Sequence, residues 1–130
     1  MVTWEDVERI VSGLPEVTEA TSWGNRCWQV KRKTFAWARP LRKKDRADLG
    51  AAAPDGEILG VRVADAADKQ AVLEQHAAVF TIPHFDNYDA VLIHLDAADP
   101  AVVEELLVDA WLCMAPPRLA AEHAADLGLG

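Results

Sequence analysis

Residues 23–46 read WGNRCWQVKRKTFAWARPLRKKDR, from Trp23 to Arg46, and the rest of the chain is arranged around them. Cys27–Val30 and Phe35–Arg39 are rich in aromatic and β-branched residues and flank Lys31-Arg32-Lys33-Thr34. Two such runs across a short polar segment predict a β-hairpin with a charged tip. Side chains alternate along a strand, so Phe35, Trp37 and Arg39 are expected on one face and Ala36 and Ala38 on the other. The small-residue face suits close approach by a helix.

Outward from the hairpin, the N-terminal side reads as a helix. Thr3 is a candidate N-cap, Glu5 and Asp6 favour the first turn, and Val7, Ile10, Val11 and Leu14 form one apolar stripe. Gly13 and Pro15 stop it. On the C-terminal side Pro40 ends the second arm, and residues 41–55 are expected to be a long connection, basic first and then rich in Ala, Gly and Pro. Ile58–Val63 predicts a third strand, Asp65 or Asp68 caps a second helix running to His76, and Val79–Ile82 predicts a short fourth strand. Ala90–Leu95 is nearly continuous in apolar residues, which suggests a central fifth strand. Asp99-Pro100 starts a helix carrying Val103, Leu106, Leu107, Ala110, Trp111 and Met114, and a short helix from Arg118 to Ala125 leads to a frayed Gly128-Leu129-Gly130 tail.

The order α-β-β-β-α-β-β-α contains no βαβ alternation. It predicts an α+β fold of two layers, an antiparallel sheet of about five strands with helices packed on one face. At 130 residues, with no repeats and no linker, the chain reads as one domain able to bury a core without staples.

Composition narrows the function. No apolar run approaches the length of a membrane span, and MVTWEDVERI lacks the basic start of a signal peptide, so a cytoplasmic protein without membrane contact is expected. Cys27 and Cys113 lie outside ligand-type spacing and read as buried thiols in a reducing compartment. His76, His84, His94 and His123 do not share a helix face at ligand spacing, so no metal is expected, and no cofactor loop is present. Ser12 and Ser22 sit in no nucleophile elbow, and no catalytic residue is assigned.

Several segments together resemble the MmcQ/YjbR family: Leu14-Pro15, Thr21-Ser22-Trp23-Gly24, FAWAR, LRKKDR, APDG, VRVAD, FTIPHFDNYDAVLIHL and LLVDAWLCMAPPRL. The resemblance runs from Trp4 to about His123. It implies a two-layer α+β fold similar to secretion chaperones and a bacterial protein, in a family often labelled DNA-binding with a double-wing contact. Asn87-Tyr88-Asp89 stands where a Gly-Tyr-Pro type sequence is expected. Pro117 replaces a common lysine before Arg118.

Charge supplies the main functional pointer. Residues 23–46 hold nine of the thirteen Lys and Arg residues, three of the five tryptophans, and Asp45 as their one acid. They carry about +8 against about −16 elsewhere, within a net charge of −8. Arg26, Lys31, Arg32, Lys33, Arg39, Arg42, Lys43, Lys44 and Arg46 are therefore candidate nucleic-acid contacts, giving weak, salt-dependent DNA binding without chemistry. If about five of them meet phosphates, log K falls against log salt with a slope of roughly −4 to −5. The alternative for the same residues is a solvated turn and ion pairs with the surrounding acids. A second candidate is a pocket of Trp23, His84, Tyr88, Trp111 and Arg118, able to serve a small-molecule sensor or enzyme around His84 and Tyr88; its alternative is a structural turn. The rival functional class is a protein-interaction adaptor in the manner of a secretion chaperone. Oligomeric state is left open.

Overall fold

The computed structural model describes residues 2–126, so the tail expected to fray at 128–130 lies outside it. The first helix, α1 (Trp4–Ser12), is fixed by a reciprocal cap. Asp6 N donates to Thr3 Oγ1 at 3.2 Å and Thr3 N donates to Asp6 Oδ2 at 2.9 Å. Bonds from the Thr3 backbone and hydroxyl, with Arg9 nearby, hold the Asp6 carboxyl below its ordinary range.

Six strands follow: β1 (Val17–Ser22), β2 (Asn25–Val30), β3 (Lys33–Ala38), β4 (Ile58–Arg62), β5 (Val79–Phe80) and β6 (Ala90–His94). They form one antiparallel sheet in the order β1-β2-β3-β4-β6-β5. The expected hairpin is β2–β3, but its tip shortens to Lys31-Arg32, both at positive φ (49° and 69°), the geometry of a two-residue turn that matches strand twist. A second two-residue turn, Trp23-Gly24 (φ 53° and 80°), joins β1 to β2. β1 is the strand that the sequence did not reveal. VTEATS offers only Val17 and Ala20 as apolar residues, because an edge strand half in water needs little more.

The remaining helices are α2 (Lys43–Leu49), α3 (Ala66–Gln75), α4 (Pro100–Met114) and α5 (Pro117–Asp126). α2 corrects the expected connection at residues 41–55. It has no apolar stripe, and Asp45 starts it by accepting from Arg42 N at 2.9 Å.

β4 and β6 are buried on both faces, so alternate residues feed two clusters. Leu59, Val61, Val91 and Ile93 pack with Val7 and Val11 of α1 and with Val103, Leu107 and Trp111 of α4. Each fully buried aliphatic side chain there contributes about 1.5–3 kcal/mol. Trp111 is wholly buried and its Nε1 donates to Pro15 O at 3.0 Å. Ile58, Ala90 and Leu92 face the other way, against Ile82, Phe85, Trp37, Leu41 and Leu49. The sheet thus carries its large helices on one face, with α2 contributing Leu49 to the opposite one.

Two further expectations change. The register slips between Trp28 and Gln29, leaving Phe35 as an extra residue opposite them. That bulge turns Phe35 into the helix-side core with Ala36, away from Trp37. Cys27 is buried as expected, but Cys113 is exposed, because it follows Leu112 on the outer side of α4.

Asp109 of α4 yields a pH test. Desolvation, with the carboxylates of Glu105 and Asp68, raises its pKa. A carboxyl whose folded pKa lies above the unfolded one stabilises the fold in acid and loses that contribution as pH rises. Asp109→Asn should therefore raise the melting temperature modestly at pH 7, and the gain should vanish below about pH 4.

Candidate functional site

The chain leaving β3 decides which cations remain available. Arg39 follows directly and its guanidinium is buried, donating to Asp45 Oδ2 at 3.1 Å and to Pro40 O at 2.7 Å. Asp45 thereby both caps α2 and neutralises Arg39. Arg26 is held by Glu8 and by Glu19 (2.7 Å), and the Arg26 bond keeps the Glu19 carboxyl below its ordinary range. Lys31 meets Glu16 at 2.6 Å and Arg46 meets Asp55 at 3.5 Å. Among the described residues, Arg32, Lys33, Arg42, Lys43 and Lys44 are exposed and make no ion pair.

These five do not share a face. Arg32 and Lys33 sit at the hairpin tip, and Arg42, Lys43 and Lys44 lie beyond the far end of β3, about 20 Å of strand away. Arg26 points to the helix side, stacked over Trp28 at 5.2 Å. The nine cations, adjacent in sequence, are thus divided in space.

On the open side of the sheet lies a hollow of about 310 Å³. Trp37 is in its lining, and the space for its indole comes from Gly60, its partner on β4. A Cβ at Gly60 would stand 2.6 Å from Trp37 Cε2. One wall is the turn after β5: Phe85 and Tyr88 meet edge-to-face at 5.3 Å, and Trp37 lies 6.3 Å and 6.2 Å from them. Lys69 of α3 ties this wall down, donating to Phe85 O at 2.5 Å and Tyr88 O at 2.9 Å. Arg62 lies over the Tyr88 ring at 4.7 Å. The other wall is the β1–β2 turn with Ser22, Trp23 and Asn25; Trp23 is 94% exposed. Arg42 and His84 complete the rim and also line a neighbouring hollow of about 270 Å³ with Lys44 and Asp48.

The pocket expected from sequence is therefore split. Trp23, His84 and Tyr88 come together. Trp111 is in the helix-side core, touching His123 at 4.8 Å, and Arg118 sits on α5 beside Glu122. Trp37, Phe85 and Asn25 line the hollow, Lys69 braces its wall from behind, and none of the four was expected there. Alternation opposite Ala36 and Ala38 was the one signal for Trp37; nothing local marks Lys69. No group of metal-ligating side chains is found among the described residues.

Two substitutions probe this geometry. Gly60→Ala should push the Trp37 ring outward, at a cost of about 1–3 kcal/mol in urea unfolding and with a shift in tryptophan emission. Asp45→Ala leaves the Arg39 cation buried without its partner and should cost about 3–5 kcal/mol, with Asp45→Asn in between.

Comparison with known proteins gives consistent results. The YjbR family model matches residues 12–113. Proteins of Mycobacterium tuberculosis and Mycobacterium bovis, each named as uncharacterized, are 46% identical over 98% of this chain and 100% of their own. The crystal structure of Deinococcus radiodurans protein DR2400, with a DUF419 family-model domain, superposes with a TM-score of 0.66 at 17% identity, covering all of this chain and 91% of that one. That likeness shows a shared fold.

Proposed function

The chain belongs to the YjbR family, and within it we propose a single-domain, non-catalytic, cytoplasmic protein that binds single-stranded nucleic acid. The observation that carries this reading is the adjacency of an aromatic hollow and unpaired cations. Trp37, Tyr88 and the exposed Trp23 offer ring faces, and Arg42 stands on the same rim, followed by Lys43 and Lys44. Ring faces stack on unpaired bases without regard to sequence, and cations neutralise the phosphates between them. A duplex keeps its bases stacked on one another and leaves the hollow empty. Cytoplasmic residence fits two unpaired thiols. In the described residues no helix is long and apolar enough to cross a membrane.

The adaptor reading rests on a different feature, the outer edge of β1. A two-residue turn makes Ser22 and Asn25 a bonded pair, so by alternation Val17, Glu19 and Thr21 direct their backbone groups away from β2. That edge could accept a partner's strand. Glu19 stands at its centre and guards it against pairing with a second copy.

The two are separated by fluorescence anisotropy with a labelled thymidine oligomer. With Arg42, Lys43 and Lys44 taken as the phosphate contacts, log K should fall against log salt with a slope of about −2, shallower than five contacts would give. Reversing all three to Glu should abolish binding, and duplex of the same length should bind more weakly. Binding untouched by the reversal would sink the proposal.

A further inference from the structure

The size and asymmetry of the hollow specify what it holds. At about 310 Å³ it lies at the small end of ligand sites, with room for one ring system and a short attachment. Its charge is one-sided. Arg42 and His84 stand at one rim, and the neighbouring hollow that they share brings Lys44 and Asp48 beside them. The wall from the first hairpin is neutral: Ser22 and Asn25 donate and accept hydrogen bonds without charge. A base inside a strand has phosphate on both flanks and would set one of them against this neutral wall.

Trp23 adds an independent observation. It holds a left-handed backbone (φ 53°) that a bulky residue rarely adopts, and it leaves its indole in water. A flat ring laid on Trp37 would cover that indole from the turn side. Asn25 Nδ2 donates to Trp23 O at 3.3 Å and steadies the turn.

We infer that the hollow takes a single nucleotide bearing phosphate on one flank only, the base between Trp23 and Trp37 and the phosphate at Arg42 and His84. A free nucleoside monophosphate has this chemistry, and so has the last nucleotide at a hydroxyl-terminated end of a strand. This deepens the reading above and rests on it for the location of the site. Arg39 also lines the hollow, but its charge is already met by Asp45, which with Pro40 O takes both hydrogens of Nη1.

The test is a nitrogen-15 NMR titration of the intact protein with adenosine 5′-monophosphate (AMP), adenosine, inorganic phosphate, and thymidine oligomers with both ends hydroxyl or both ends phosphorylated. AMP should move the indole signals of Trp23 and Trp37 and leave those of Trp28 and Trp111, on the helix side, unmoved. Adenosine and phosphate should each bind at least about 10-fold more weakly than AMP. Trp23→Ala, at an exposed position, should weaken AMP about 5-fold or more. An oligomer with hydroxyls at both ends should displace AMP, and phosphate at both ends should reduce that ability. AMP binding with no oligomer binding makes the free nucleotide the ligand; the inference then stands and the strand reading falls. Equal binding of both oligomers overturns the inference and leaves the strand reading intact. No shift at Trp23 or Trp37 above about 1 mM AMP, and none with any oligomer, overturns both.

Discussion

β4 and β6 are apolar on both sides, and a sheet with two greasy faces has to be covered twice. The rest of the architecture follows from that constraint. One face receives α1 and α4, whose apolar stripes are long enough to seal it. The other receives no long helix. It is closed piecemeal by Leu41 and Leu49 around α2, by Ile82 and Phe85 in the turn after β5, and by Trp37 lying over Gly60. Piecemeal covering leaves gaps where the pieces do not meet, and the hollow is one of them.

The same covering decides the electrostatics. To bring Leu41 and Leu49 down on the sheet, the chain has to bury Arg39, and a buried guanidinium demands a partner. Asp45 supplies it, and being the cap of α2 it also fixes where the next cations emerge. Arg42 is delivered to the hollow, and Lys44 to the one beside it, as a consequence of packing. Elsewhere the acid-rich remainder of the chain does what its composition allows: Glu8, Glu19, Glu16 and Asp55 take up Arg26, Lys31 and Arg46. A segment of about +8 thereby becomes two small positive clusters, one at each end of β3. Exposed pairs of this kind contribute little to stability, but they remove cations from any ligand's reach.

Apolar rhythm together with caps and turn residues made α1, the β2–β3 hairpin, β4, α3 and α4 legible, an unbroken apolar run did the same for β6, and with them came the α+β antiparallel class. Val7 and Val11, or Leu106 and Leu107, could belong to nothing but a buried helix face. The segments that escaped have no such rhythm. β1 is an edge strand with mostly polar residues, and α2 rests on a cap and a buried ion pair; neither needs an apolar stripe to exist. The bulge at Phe35 was equally silent, since it reverses the face of one side chain without altering composition.

What the sequence determined by itself, then, was the set of elements that bury a stripe, the family resemblance, and the concentration of cations and tryptophans in residues 23–46. Tertiary structure alone decided which of those residues meet. Trp28 and Trp37 stand nine positions apart on one hairpin yet face opposite sides of the sheet, while Trp23, His84 and Tyr88 converge from turns some sixty residues apart. The physical reason is that burial and rhythm are local properties of a chain, readable residue by residue. Ion pairing and the joining of turns depend on distances across a twisted sheet, and those distances exist only once the sheet has formed.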